Sequence, residues 1–126
     1  MKKQAGFTLV ELVIAMVIVA ILASIALPSY RDSVRKSERR AAQAAMMQIA
    51  NLQHQYFVAN RTYGSIDDLG YALPPEVSGK YTLAIEVSDG PPPAFTIKMT
   101  AADAKEASYG VLSLDSAGEK KPEGKW

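Results

Sequence analysis

The sequence predicts an α+β protein in which one long N-terminal helix packs against a three- to four-stranded antiparallel sheet. Three observations lead there. Leu12 to Tyr30 holds no charged side chain and is almost wholly aliphatic as far as Leu27. Beyond it, apolar and small residues recur every three or four positions up to Tyr56, the period of a helix with one buried face. From Tyr81 the period falls to two, the signature of half-buried strands. The links between those strands are short, so sequential neighbours pair antiparallel.

The first element is predicted as a helix over residues 7–60, behind a leader, residues 1–6, that carries Lys2 and Lys3. Its first part, residues 7–30, is apolar all round and long enough to cross about 30 Å of hydrocarbon. The basic leader favours a cytoplasmic N-terminus with the rest of the chain outside. A cleaved secretory signal would need a small-x-small site, which Ala23-Ser24-Ile25 fits poorly, so the segment reads as a single-pass anchor. Glu11 stands inside it, where a carboxylate costs several kcal/mol unless protonated or paired. Pro28 removes a backbone donor, so a kink or short unwound segment is expected there, with Ser24 and Ser29 near the freed carbonyls.

Residues 31–60 are expected to be amphipathic. Tyr30, Val34, Ala41, Ala45, Ile49, Leu52 and Tyr56 form the stripe, with Ser37 filling its gap. Arg31, Arg35, Arg39, Gln43, Gln48, Gln53 and Gln55 lie between them. Residues 61–126 are assigned to the sheet domain. Asn60 to Ser65 exits into a loop, and Ser65 with Asp68 spells a short capped turn. Leu73-Pro74-Pro75 and Ser78-Gly79 mark irregular backbone. Tyr81, Leu83, Ile85 and Val87 then share one strand face, and Phe95, Ile97 and Met99 the next. A stiff Asp89–Pro93 link lies between them. A third strand is expected over Gly110–Leu114, before a turn at Asp115–Gly118 and a polar tail that ends in Trp126.

Composition excludes several functions. The chain has 126 residues, a net charge of +1 and no cysteine, so disulfides and thiolate chemistry are absent. Ten acidic and seven basic residues follow from Arg61 onwards, unlike the balance of a dedicated nucleic-acid binder. The one histidine, His54, lies beside Asn51, Gln55 and Val58 with no carboxylate or serine partner, and reads as structural. Asp67, Asp68 and Asp115 lack the regular ligand spacing of a calcium loop. No phosphate loop, nucleophile elbow or dinucleotide fingerprint appears, so no catalytic residue, metal or cofactor is assigned and no enzyme is expected. The basic cluster Arg31, Arg35, Lys36, Arg39 and Arg40 fits lipid headgroups or acidic patches on neighbouring copies. Nucleic acid ranks below both, because interleaved aromatics are missing.

The leader, the junction Gly6-Phe7-Thr8-Leu9-Val10-Glu11 and the run ending Ala26-Leu27-Pro28-Ser29-Tyr30 resemble a type IV prepilin with a class III signal. The likeness is to minor pilins of the E type (PilE-like) of Gram-negative bacteria. Gln55-Tyr56-Phe57, Asn60-Arg61-Thr62-Tyr63, Leu69-Gly70-Tyr71, Tyr81-Thr82-Leu83 and Gly110–Gly118 extend it over nearly the whole chain.

The resemblance implies cleavage between Gly6 and Phe7 by a prepilin peptidase, with N-methylation of Phe7 by the same machinery. It also implies that Glu11 neutralises the Phe7 amine of an adjacent subunit, and that Pro28 marks where the filament helix loses regularity. The implied function is that of a structural minor subunit of a type IV pilus serving motility, adhesion or DNA uptake. The implied partners are other pilin subunits, the inner-membrane assembly platform and, before assembly, the lipid bilayer. A type II secretion pseudopilin and a DNA-binding minor pilin are the alternatives. Where the family commonly has two cysteines near its C-terminus, this sequence has Tyr109 and Lys125, so the resemblance leaves that loop open, with Glu119 to Lys125 free to move and Trp126 still able to tuck back against the sheet.

Overall fold

A computed structural model describes residues 1–126, and its element order follows the two sequence periods. Helix α1 spans Leu9–Asn60, followed by the short helix α2, Ile66–Leu69. Strands β1, Tyr81–Ser88, and β2, Ala94–Ala101, come next, then helix α3, Ala104–Ala107, and strands β3, Leu112–Asp115, and β4, Lys120–Lys121. The chain forms two compact units, Met1–Arg35 and Lys36–Trp126.

In the first unit α1 begins two residues later than expected, for a local reason. The Thr8 carbonyl accepts the Leu12 N–H at 3.2 Å, the first intrahelical bond, which makes Thr8 the N-cap. The Thr8 hydroxyl accepts from the Glu11 N–H at 3.2 Å, while the Thr8 N–H donates back to the Glu11 carboxylate at 2.7 Å. This is a capping box. The apolar side chains from Leu9 to Leu27 are exposed. No unwound segment appears at Pro28, because the helix continues through it. One missing bond within 52 residues leaves the turns on either side hydrogen-bonded. The Ser24 hydroxyl donates to the Ile21 carbonyl at 2.7 Å, not to a carbonyl freed by the proline.

The second unit is a meander of order β1-β2-β3-β4, antiparallel throughout. Ile85 opposes Ile97, which opposes Leu114, so apolar residues line up across three strands on one face. Phe95, Ile97 and Met99 are buried on β2 and Leu112 and Leu114 on β3, as the alternation requires. β1 buries less: Tyr81 is enclosed, Leu83 and Ile85 are half-buried, and Val87 at the strand end is exposed. β3 starts at Leu112 rather than Gly110, whose φ of +98° is outside strand geometry.

Ala42, Ala45, Met46 and Ile49 of α1 cover this face. The stripe is therefore narrower than expected, and Tyr30 and Val34 stand in solvent. Gln53, expected on the polar side, is fully buried. Its amide acts as a surrogate peptide: Nε2 donates to the Gly64 carbonyl at 2.7 Å and Oε1 accepts the Gly64 N–H at 2.9 Å. This pair closes the loop that leaves the helix after Arg61, which adopts the left-handed region at φ +60°. Only glycine fits at residue 64, since a Cβ would lie 2.9 Å from the Asp68 Cβ.

Helix α2 carries the expected Ser65–Asp68 box. The two Ser65 hydrogen bonds hold the Asp68 carboxyl below its usual range. Helix α3 was not expected. Asp103 caps it by accepting the Lys105 and Glu106 N–H groups, which points Glu106 inward.

Replacing Gln53 by leucine keeps the volume but strands two buried backbone groups. Q53L is expected to cost about 2–4 kcal/mol, read as a fall of roughly 10 °C or more in the thermal midpoint of the full chain in detergent.

Candidate assembly site

The residues singled out at the N-terminus do not form a pocket. Gly6 and Phe7 are exposed, and nothing lies within 4 Å of where a Gly6 Cβ would sit. Packing within the chain therefore makes no demand for glycine there. Glu11 is exposed and held by its own helix cap: its Oε2 accepts both the Thr8 N–H and, at 3.0 Å, the Thr8 hydroxyl. No hydrogen bond reaches its Oε1. Pro28 lies 17 residues further along α1 and shares no contact with this group. Sequence reasoning passed over Thr8, although Thr8-x-x-Glu11 spells a capping box. Helix α1 is long and apolar enough to cross a membrane, with a window of mean hydropathy 2.8 that is entirely unburied.

In the second unit, the basic segment meets the C-terminal tail. Arg39 forks onto Glu106, Nε to Oε2 at 2.8 Å and Nη2 to Oε1 at 2.6 Å. Glu106 is only 7% exposed, so the bond is charge-assisted and shielded. It holds the guanidinium above its ordinary pKa.

Tyr109 lies between two cations, with the Lys125 Nζ 3.8 Å and the Arg39 Cζ 5.3 Å from its ring centroid. The two positions where the resembled family carries cysteines are thus brought together by cation–π attraction. The tail is also tied by Gln43 Nε2 donating to the Lys125 carbonyl at 2.7 Å and by Trp126 Nε1 donating to the Lys121 carbonyl at 2.9 Å. Lys120 Nζ lies 5.2 Å from the centroid of the Trp126 ring. Of the two outcomes the missing cysteines leave open, the tail takes the fastened one, tied at Lys125 and Trp126.

The remaining candidates serve structure. His54 packs edge-on against Phe95 and Tyr63, with ring centroids 5.6 Å and 6.3 Å away. Asp68 is engaged in the α2 cap, and Asp115 accepts the Ala117 and Glu119 N–H groups in its turn. Asp67 does not join either of them, and no three His, Cys, Asp or Glu side chains gather as a metal site. The Tyr81 hydroxyl is buried with no hydrogen-bond partner. Burial pushes its pKa up and the nearby Glu106 charge adds to the shift, while the neighbouring Arg39 guanidinium opposes it.

An apolar helix long enough to cross a membrane, behind a basic leader and continuing into a small α+β domain, defines a helix-spined class of protein. Residues 28–109 match the family described as "Type IV minor pilin ComP, DNA uptake sequence receptor", and residues 1–27 match the prokaryotic N-terminal methylation motif. The chain belongs to the type IV pilin family, a class of non-catalytic structural proteins.

Among curated relatives, a "Fimbrial protein" of Neisseria meningitidis serogroup B is 38% identical over 69% of this chain and 52% of its own length. The "Type IV major pilin protein PilE1" of Neisseria gonorrhoeae is 37% identical over 69% of this chain and 54% of its own. "Fimbrial protein EcpC" of Eikenella corrodens is 34% identical over 68% and 55%. The chain spans about half the length of these relatives. No solved structure matches significantly.

Tyr81→Phe removes a desolvated, unpartnered hydroxyl and is expected to raise stability by up to about 1 kcal/mol. Because folding raises the Tyr81 pKa, the neutral phenol's contribution is complete below about pH 10, the unfolded value, and is lost as pH rises through the folded one. Thermal unfolding at about pH 8 and about pH 11 should show a smaller alkaline loss in Y81F than in the wild type.

Proposed function

We propose that the chain is a structural subunit of a type IV pilus, made as a prepilin and assembled through its N-terminal helix. The observation that carries this reading is the exposed apolar stretch of α1 behind Gly6-Phe7, in which Glu11 is the one charged side chain as far as Tyr30. Residues 1–6 are the leader, 7–30 the bilayer and filament-core segment, 31–60 the amphipathic helix and 61–126 the sheet domain. A prepilin peptidase cuts between Gly6 and Phe7, and Phe7 is then N-methylated. The absence of any internal packing need for glycine at residue 6 supports a demand from outside the chain. The Glu11 carboxylate pairs with the Phe7 amine of a neighbouring subunit, and its uncommitted Oε1 suits that role. Pro28 is where α1 adapts in the filament.

Before assembly the subunit is a single-pass inner-membrane protein with a cytoplasmic N-terminus and a periplasmic domain. Afterwards it lies in the extracellular pilus. Its partners are other pilin subunits, the processing enzyme, the assembly platform and the bilayer.

A second reading, reception of DNA during uptake, is favoured by the description of the family matched over residues 28–109. The acidic surplus beyond Arg61 counts against it. A salt-dependent duplex-binding assay separates the two. A type II secretion pseudopilin would share the N-terminal features, and scoring secretion beside piliation in a deletion strain distinguishes it.

Glu11→Ala leaves the Phe7 amine without its counter-charge in a dry filament core, an effect of about 3–5 kcal/mol per subunit. Membrane insertion and leader cleavage should persist. Immunoblots of sheared surface fractions should show a drop of roughly tenfold or more, and normal incorporation would refute the pairing.

A further inference from the structure

Within the second unit, a cleft of about 270 Å³ separates α1 from the tail, with Lys36, Arg39, Arg40 and Gln43 on one wall and Lys125 and Trp126 on the other. The Arg39 charge is taken up by Glu106. Lys36, Arg40 and Lys125 belong to none of the ion pairs. Lys36 and Arg40 are one helical turn apart, so like charges face each other, and neither is held in an ion pair. Such a concentration of cations in a concave site draws an anion.

We propose that this cleft is a headgroup site for an acidic phospholipid, filled while the subunit resides in the bilayer and emptied when it leaves. The inference rests on the bilayer-resident reading above. Two features favour a lipid over a nucleic acid. Lys36 and Arg40 follow Tyr30, the end of the charge-free run, by six and ten residues, within three helical turns. Cations so placed beside an apolar span are the usual binders of anionic headgroups. The other wall carries Trp126, half-buried with its indole N–H already bonded to the Lys121 carbonyl, and tryptophan is enriched at membrane–water interfaces. Gln43 adds an amide whose second N–H is available to a phosphate oxygen. An anion bound only in the resident state stabilises that state by mass action, so acidic lipid would oppose extraction into the filament.

Trp126 is the only tryptophan and reports on the cleft directly. The full chain is reconstituted in vesicles of phosphatidylcholine alone and in vesicles that also contain phosphatidylglycerol, and alkaline carbonate extraction records whether it is anchored. The expected result is a blue shift of Trp126 emission in the acidic vesicles that high salt reverses. In the exposed double variant K36Q/R40Q, the apparent affinity for phosphatidylglycerol read from the shift should fall roughly 30-fold, the effect of two cations near an anionic surface. K36R/R40K should retain the wild-type response.

An anchored wild type with identical emission in both vesicles overturns the headgroup site and leaves the anchor standing. A shift unchanged in K36Q/R40Q overturns this cleft as its location. Release of the wild type by carbonate overturns the anchor and, with it, the site. If duplex DNA rather than phosphatidylglycerol shifts the emission, and does so through Lys36 and Arg40, the site belongs to nucleic acid and the proposal falls.

Discussion

The sheet has one apolar face, and the second half of α1, with Val77 and the segment that follows the helix, covers it. Everything else in the domain depends on that constraint. A strand of four residues and another of two cannot hold a sheet together unaided, and no disulfide assists them. Ala42, Ala45, Met46 and Ile49 are buried in one apolar cluster with Phe95, Ile97 and Met99. Polar clamps flank this apolar patch along the helix. Arg39 to Glu106 and Gln43 to Lys125 lie before it, and Gln53 to Gly64 lies after it. Each clamp joins a helix side chain to a loop or short helix that the sheet alone would leave loose. The apolar patch supplies the driving force, and the clamps fix the position of the helix along the sheet.

The first half of α1 has the opposite property, because nothing in the chain covers it. Large apolar side chains stand half or more exposed from Leu9 to Leu27, far beyond the scattered apolar residues of an ordinary surface. Such a surface is stable only in hydrocarbon or against other helices. Gly6 has open space around it, and Glu11 is satisfied locally on one oxygen alone. Neither residue is used in packing within the chain, whereas residues 36–126 are occupied chiefly with folding.

The parts legible in the sequence were those whose cause is local. The two-residue period gave β1 and β2 their inward residues, and Ser65-x-x-Asp68 gave the α2 cap, because each signal lies within a few positions. What escaped had distant causes. Gln53 counts as polar in any pattern, and its burial depends on the peptide group of Gly64, which matches its amide in shape and donor order. The width of the helix stripe was overestimated because Tyr30 and Val34 keep the spacing without having a sheet to face. α3 had a readable cap in Asp103, yet its purpose, presenting Glu106 to Arg39, spans 67 residues. Thr8 is readable as well, since Thr8-x-x-Glu11 is a capping pattern confined to one helical turn.

The tail shows how a lost covalent constraint is replaced. A disulfide across a loop of this size contributes about 3 kcal/mol, chiefly by restricting the unfolded chain. A cation–π contact at a largely exposed site contributes about 0.5–1 kcal/mol, and a hydrogen bond about 1 kcal/mol. Lys125 and Arg39 on Tyr109, Lys120 on Trp126, and the bonds from Gln43 and Trp126 together reach a comparable magnitude. The distribution differs, however. A disulfide is either closed or chemically broken, whereas these contacts open one at a time at thermal energies. The tail is therefore fastened on average but remains exchangeable, and Lys125 can trade the Tyr109 ring for a stronger anionic partner without any covalent step. The same side chain lines the wall of the cationic cleft.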